Sequence, residues 1–208
     1  MPVVPHRFLF RYAFPVPHVE RRSGGGRTFL DLNEAAFLPD VGAMDEAAPF
    51  ATIQAGWNES GMGFRVSVIG KKMPVVEVPD EPRESDGFQL WLDTRNTQTI
   101  HRASRFCHHF AFLPASPSSP KGQAQKSGTG SAYQFSIALA KEDAPSNRVG
   151  LLRAGSRSVP GGYVLDAWIP AESLAGYEPD ANPLLGFYYV VRDAELGEQF
   201  LAVGRDFP

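Results

Sequence analysis

A two-residue period runs through this chain, and no other feature constrains its fold so strongly. In FQLWLD (88–93) the apolar Phe88, Leu90 and Leu92 alternate with Gln89, Trp91 and Asp93, as side chains do on opposite faces of a β-strand. FLFRYAF behaves the same way, with Phe8, Phe10, Tyr12 and Phe14 on one face. Further predicted strands are RFCHHFAFL (105–113), YQFSIAL (133–139), YVLDAWI (163–169), LGFYYVVRD (185–193) and QFLAV (199–203), with VGLLRA (149–154) as one more candidate. FATIQAGW (50–57) and FRVSVIG (64–70) flank Asn-Glu-Ser-Gly-Met-Gly and read as a hairpin. Glycine and proline together make roughly 18% of the chain against about 12% in ordinary usage, the punctuation that many short strands need.

Helix signals are confined to single turns: Asn33 capping Glu34–Leu38, and Pro170-Ala-Glu-Ser-Leu. The pattern therefore predicts an all-β chain, an antiparallel two-sheet β-sandwich or jelly roll with little helix. A length of 208 residues and 43% hydrophobic content suit a single domain over 1–208 with a buried core, residues 1–49 forming an N-terminal strand and extension. Phe88, Leu90, Leu92, Phe106, Phe110, Phe112, Phe135, Ile137, Leu165 and Ile169 are expected inside it. Two segments break the alternation. SGGGR (23–27) joins the first strand to the body, and PASPSSPKGQAQKSGTGS (114–131) has almost nothing to bury and is expected to be a flexible loop.

Composition removes several classes of function. The net charge is −3 and no basic block occurs, so no nucleic-acid partner is expected. No apolar run approaches the roughly 20 residues of a membrane span, so no membrane partner is expected either. The opening MPVVPHRFLFRYAFPVPH lacks a signal-like apolar stretch; a cytoplasmic location is the expectation, extracellular if a signal was trimmed. Cys107 is the single cysteine, which excludes an intrachain disulfide and a cysteine-rich metal cluster.

His101, His108 and His109 lie close in sequence, but in a strand His108 and His109 point to opposite faces. Cys107 and His109 share a face, two ligands where zinc takes three or four. His108 falls on the Phe106/Phe110/Phe112 stripe and reads as a core histidine. DEPRESD (80–86) offers Asp80 and Asp86 as oxygen ligands for a structural calcium-type ion, although its spacing is not that of an EF-hand loop; the alternative is a solvated loop. No Gly-x-Ser-x-Gly, dinucleotide fingerprint or phosphate loop occurs at a strand end, and nothing in the pattern compels an enzyme.

With the phenylalanine and leucine stripes inside, the outward sets are Gln89/Trp91/Asp93, Arg105/Cys107/His109, Gln134/Ser136 and Asp166/Trp168. If these strands are neighbours, one face mixes two tryptophans with amides, charges and an imidazole. Aromatic faces take the C–H face of a sugar, and amides, arginine and carboxylates take its hydroxyls. Gln89, Trp91, Asp93, Arg105, His109, Asp166 and Trp168 are therefore the candidate ligand-binding residues. The alternative is that the N-terminal segment or a long loop covers these tryptophans and the carboxylates are bonded internally.

Four stretches, in order, carry a resemblance. DGFQLWLDTR resembles the signature strand of family 9 carbohydrate-binding modules, and WNESGMGFRVSV is similar to that family's preceding hairpin. GYVLDAWIPAESL and LGFYYVVRDAE look like its later strands, so the resemblance spans about residues 50 to 203. It implies a DOMON-like β-sandwich that binds an oligo- or polysaccharide, often as an accessory to glycoside hydrolysis, with loop carboxylates such as Asp80 or Asp86 as metal ligands. The chain differs from sugar-binding members in carrying Arg83 where they place a clamping tryptophan, and Gln89 and Asp166 where they place glutamates; Phe200 is the aromatic nearest to the second clamp. The function expected is a non-catalytic carbohydrate-binding-like module, with a protein-interaction sandwich and a glycoside hydrolase as the alternatives.

Overall fold

The computed structural model describes residues 12–20, 29–40, 48–98, 101–116, 127–146 and 151–201, with 127–129 described for the backbone alone. Among these residues ten strands are formed: β1 (Ala51–Asn58), β2 (Gly61–Ile69), β3 (Gly87–Asp93), β4 (Cys107–Leu113), β5 (Ser127–Thr129), β6 (Ser131–Phe135), β7 (Arg153–Val159), β8 (Gly162–Pro170), β9 (Gly186–Asp193) and β10 (Gly197–Phe200). They build two five-stranded sheets, β1-β2-β8-β7-β5 and β10-β9-β3-β4-β6, antiparallel at every pairing. The chain is the all-β sandwich that the alternation predicts. Helix among the described residues is limited to the 3-10 turns Glu34–Ala36, Pro82–Glu84 and Ala171–Ser173. Asn33 Oδ1 caps the first by accepting from the Ala35 N–H. Among the described residues no helix is long and apolar enough to cross a membrane.

Between the sheets, Phe64, Val66, Leu165 and Ile169 of the first interleave with Phe88, Leu90, Leu92, Phe110, Phe112 and Val191 of the second. Each fully buried side chain of this kind contributes roughly 1.5–3 kcal/mol. Three expected core residues are instead half-buried: Phe106, Phe135 and Ile137. Phe106 precedes β4 and lies beneath the Arg95 guanidinium, 5.0 Å from its ring centre. In β6 the register pairs Phe135 with His109 and Gln134 with Phe110, so Phe135 faces outward and Gln134 inward, the reverse of the parity expected. The strand ends there, which leaves Ser136 and Ile137 off the sheet.

Other segments also differ from expectation. The first hairpin is tight, pairing Asn58 with Gly61, because Asn58 Oδ1 accepts from both the Ser60 N–H and its hydroxyl. Part of 114–131 is paired strand rather than loop: β5 joins the first sheet and β6 the second. The chain changes sheets at Gly130, whose N–H donates to Ala154 and where a Cβ would press into the Leu113 carbonyl. Residues 117–126, SGGGR and the start of FLFRYAF lie outside the described residues, and Tyr12–Phe14 form no strand.

The outer face of the first sheet is covered. Residues 17–19 run along the edge of β1, the Val19 N–H donating to the Trp57 carbonyl and the Trp57 N–H to the Pro17 carbonyl. Leu30, Leu32 and Ala36 lie over Trp168, and they fit because Gly56 and Gly63 present no side chain: a Cβ at Gly56 would stand 2.7 Å from Leu32. At one end the sheets are pinned by a buried ion cluster. Lys71, just after β2, reaches Asp86 before β3 (3.0 Å) and Asp193 at the end of β9 (2.9 Å). The outer face of the second sheet remains as the place for a site.

Candidate functional site

Antiparallel register places Tyr188 of β9, Trp91 of β3, His109 of β4 and Phe135 of β6 in one row across four strands. Three strand spacings make this row about 14 Å wide. Its rings touch in succession: Tyr188 to Trp91 at 5.7 Å, Trp91 to His109 at 4.1 Å, His109 to Phe135 at 5.1 Å. Tyr133 extends it along β6, 6.0 Å from Phe135. Trp91 and His109 lie within 14° of parallel. Rings stacked face to face across neighbouring strands stand upright on the sheet, so this pair forms a ridge in which Trp91 is half-buried and His109 is buried. A flat indole platform is not what the packing builds.

A polar relay runs beside the ridge. Gln89 Nε2 donates to the Arg83 carbonyl (2.9 Å), which leaves Oε1 as the acceptor 3.2 Å from His109 Nε2. The neutral His109 ring therefore carries its proton on Nε2 and offers a lone pair at Nδ1. Burial, and then the Arg83 charge, push the His109 pKa down to about 4, so the ring is neutral near pH 7. The Arg83 guanidinium sits over Phe135, 5.4 Å from the ring centre, a cation–π contact at the β6 end of the row. Tyr188 at the other end has its phenol pKa raised by burial and then by Glu198.

Of the residues singled out by the sequence, the structure brings Gln89, Trp91 and His109 together. Asp93 lies at the end of the same face, but its oxygens accept from the Arg95 (2.9 Å) and Thr97 (2.7 Å) N–H groups and close the turn after β3. Arg105 stands off the row in the loop before β4, 3.6 Å from Glu142. Asp166 and Trp168 belong to β8 in the opposite sheet, which corrects the single face joining all seven. There Asp166 pairs with Arg65 at 2.6 Å and Arg157 at 3.5 Å, and Trp168 is buried beneath Leu30 and Leu32. His108 is a core residue stacked on Phe110. Its pKa is lowered by burial, against the opposing pull of the Ala175 backbone and the Asp93 charge.

The two proposed calcium ligands are not brought together as a cation site. Asp86 is buried, bonded to the Lys71 ammonium and accepting from the Val76 and Ala194 N–H groups, while Asp80 lies exposed in a turn. Among the described residues, no three His, Cys, Asp or Glu side chains are placed to hold a metal. Sequence reasoning missed Tyr188, Tyr133, Phe135 and Arg83. The parity of LGFYYVVRD, with Phe187 and Tyr189 inward, could have located Tyr188; the other three depend on how β6 and the Pro82–Glu84 turn pack.

No family model matches the chain, and no curated protein matches it. Solved structures do. A family 9 carbohydrate-binding module from Caldicellulosiruptor kristjanssonii, in complex with cellotriose in one structure and with glucose in another, is 12% identical with a TM-score of 0.51. These matches cover 89% of this chain and 80% and 81% of the two compared. At that identity the likeness is one of fold, and the sandwich described here is a family 9 carbohydrate-binding-module-like fold.

Proposed function

We propose that this chain is a non-catalytic carbohydrate-binding module whose ligand lies on the outer face of the second sheet. The observation that carries the reading is the four-ring row with the Arg83–Gln89–His109 relay beside it. Saccharide sites need apolar walls for C–H groups and a few convergent donors and acceptors for hydroxyls. Here the walls are the Trp91, Tyr188 and Phe135 rings, and the polar groups are the Gln89 amide, the neutral His109 and the Arg83 guanidinium. The fold shared with sugar-bound modules supports the same reading. A binding role is favoured over hydrolysis because glycosidases place two carboxyl groups on either side of the scissile bond. The carboxylates beside this row are otherwise engaged: Asp93 holds backbone N–H groups, and Glu84 is ion-paired to Arg192 at 2.6 Å.

Titration calorimetry and tryptophan fluorescence against a panel of soluble oligosaccharides test this. Saturable binding that weakens at least about ten-fold in Trp91→Ala is expected. Absence of binding to every glycan on an array at millimolar ligand would refute it.

A further inference from the structure

Arg83, beside the ring row, is a cation with no ion-pair partner among the described residues. Its backbone is fixed, because its carbonyl accepts from the Gln89 amide and the turn Pro82–Glu84 packs against β4. Its side chain is exposed and rests on the Phe135 ring. Neighbouring cations are matched: Arg192 with Glu84 and Glu198, Arg95 with Glu178, Arg105 with Glu142, Lys71 with Asp86 and Asp193. Arg102 donates to the Leu139 and Ala140 carbonyls. Among the described residues no carboxylate lies within ion-pair distance of the Arg83 guanidinium, so its charge stands uncompensated beside the row.

A guanidinium is a planar fork of donors that matches a carboxylate in two parallel hydrogen bonds. A pyranose bearing a carboxylate carries, within one ring, the C–H surface for an aromatic wall and the anion for that fork. We infer that the ligand is an acidic saccharide, a glycan containing hexuronate units, and that Arg83 selects it by pairing with the uronate carboxylate while the sugar ring lies against Phe135 and the His109–Trp91 ridge. This rests on the saccharide reading above and names the class of sugar. Neutral His109 fits the assignment: it sets no second charge beside the Arg83 fork.

The test compares three tetrasaccharides by calorimetry: oligogalacturonate, the same oligomer with its carboxylates methyl-esterified, and cellotetraose. Oligogalacturonate should bind at least about ten-fold more tightly than either neutral ligand. That preference should shrink as NaCl rises from about 50 to about 500 mM. Arg83→Gln should abolish the preference, weakening oligogalacturonate at least about ten-fold more than cellotetraose, with the melting temperature near wild type; Arg83→Lys, which keeps the charge and loses the fork, should fall between. Equal or tighter binding of cellotetraose, unchanged in Arg83→Gln, would overturn the acidic-sugar assignment and leave the saccharide reading standing. Wild-type protein that binds none of the three, nor any array glycan, would remove both.

Discussion

Lys71→Met should be among the most damaging single substitutions in this protein. The Lys71 side chain is 3% exposed, and those of Asp86 and Asp193 are 1% and 0% exposed. One ammonium therefore stands between two carboxylates at 3.0 and 2.9 Å, out of reach of water. Those carboxylates also organise backbone: Asp86 accepts from Val76 and Ala194, and Asp193 Oδ1 from Glu195 and Leu196. Methionine keeps most of the volume of lysine and removes the cation. Two anions are then left facing each other in a buried site, and breaking a buried pair in this way costs about 3–5 kcal/mol. In a chain of this size that is roughly 6–20 °C of melting temperature.

Urea and thermal unfolding of wild type, Lys71→Met, Asp193→Asn and the double variant measure the effect. Asp193→Asn should cost less than Lys71→Met, because it leaves a neutral Lys71–Asp86 pair. The double variant should be less destabilised than the sum of the singles. Burial alone would lower the Lys71 pKa, but its hydrogen bonds to Asp193 and Asp86 outweigh that and raise it above 10.5. The stabilisation is thus complete below pH 10.5 and is lost as pH climbs through the raised value, so the wild-type excess over Lys71→Met should fade in strong alkali. A loss below about 1 kcal/mol for Lys71→Met would show that the cluster is hydrated and the reasoning wrong.

The two tryptophans flagged by the same pattern should behave differently. Trp168→Ala empties a buried pocket beneath Leu30 and should cost about 3–5 kcal/mol, whereas Trp91→Ala loses two ring contacts on a half-exposed face and should cost about 1–3 kcal/mol; equal losses in denaturant titrations would contradict the placement of one of them. His109 has a folded pKa of about 4 against 6.5 in an open chain, so below pH 6.5 the unfolded chain takes up the proton first. Its stabilising contribution is whole above pH 6.5 and disappears as pH falls toward 4, at most about 3 kcal/mol. His109→Gln should flatten that limb of the pH–stability profile, and an identical acid limb in both proteins would count against it. Gly130→Ala should destabilise by at least about 2 kcal/mol, since the added methyl meets the Leu113 carbonyl where the chain changes sheets; a circular-dichroism melt unchanged from wild type would show that the crossing can shift.

Alternation told which residues share a face of a strand, and for β3, β4 and β8 it told that correctly. Phe88, Leu90 and Leu92 are inside and Gln89 and Trp91 outside because a pleated strand admits no other arrangement once its apolar set is chosen. The same rule misassigns β6: Phe135 and Ile137 are the apolar residues of YQFSIAL that alternation puts inward, yet Phe135 faces outward and Ile137 lies beyond the strand. The choice failed because Phe135 finds an apolar partner outside, in His109 and the rings beyond it. An outer face that is itself aromatic removes the contrast on which the parity of an edge strand is judged. The Asp93 turn was legible in principle: Asp-Thr-Arg-Asn is a sequence in which an aspartate bonds the backbone two residues on, and it does so here.

Which face belongs to which sheet lies beyond any local pattern. Trp91 and Trp168 each stand on the outward side of an alternating strand and next to an outward carboxylate, Asp93 and Asp166. What separates them is a segment more than a hundred residues upstream of Trp168, residues 29–36, which lies over β1, β2 and β8 because Gly56 and Gly63 leave it room. Those glycines, in the middle of two strands, were the available signal: a glycine inside a strand marks close approach by another segment. The strands of the second sheet that carry the ring row, β3, β4, β6 and β9, have no interior glycine, their glycines standing only at the first residue of β3 and of β9. Side chains there meet across strands instead of admitting a covering segment, and that is why the row Tyr188–Trp91–His109–Phe135 can stand at the surface with Arg83 at its end.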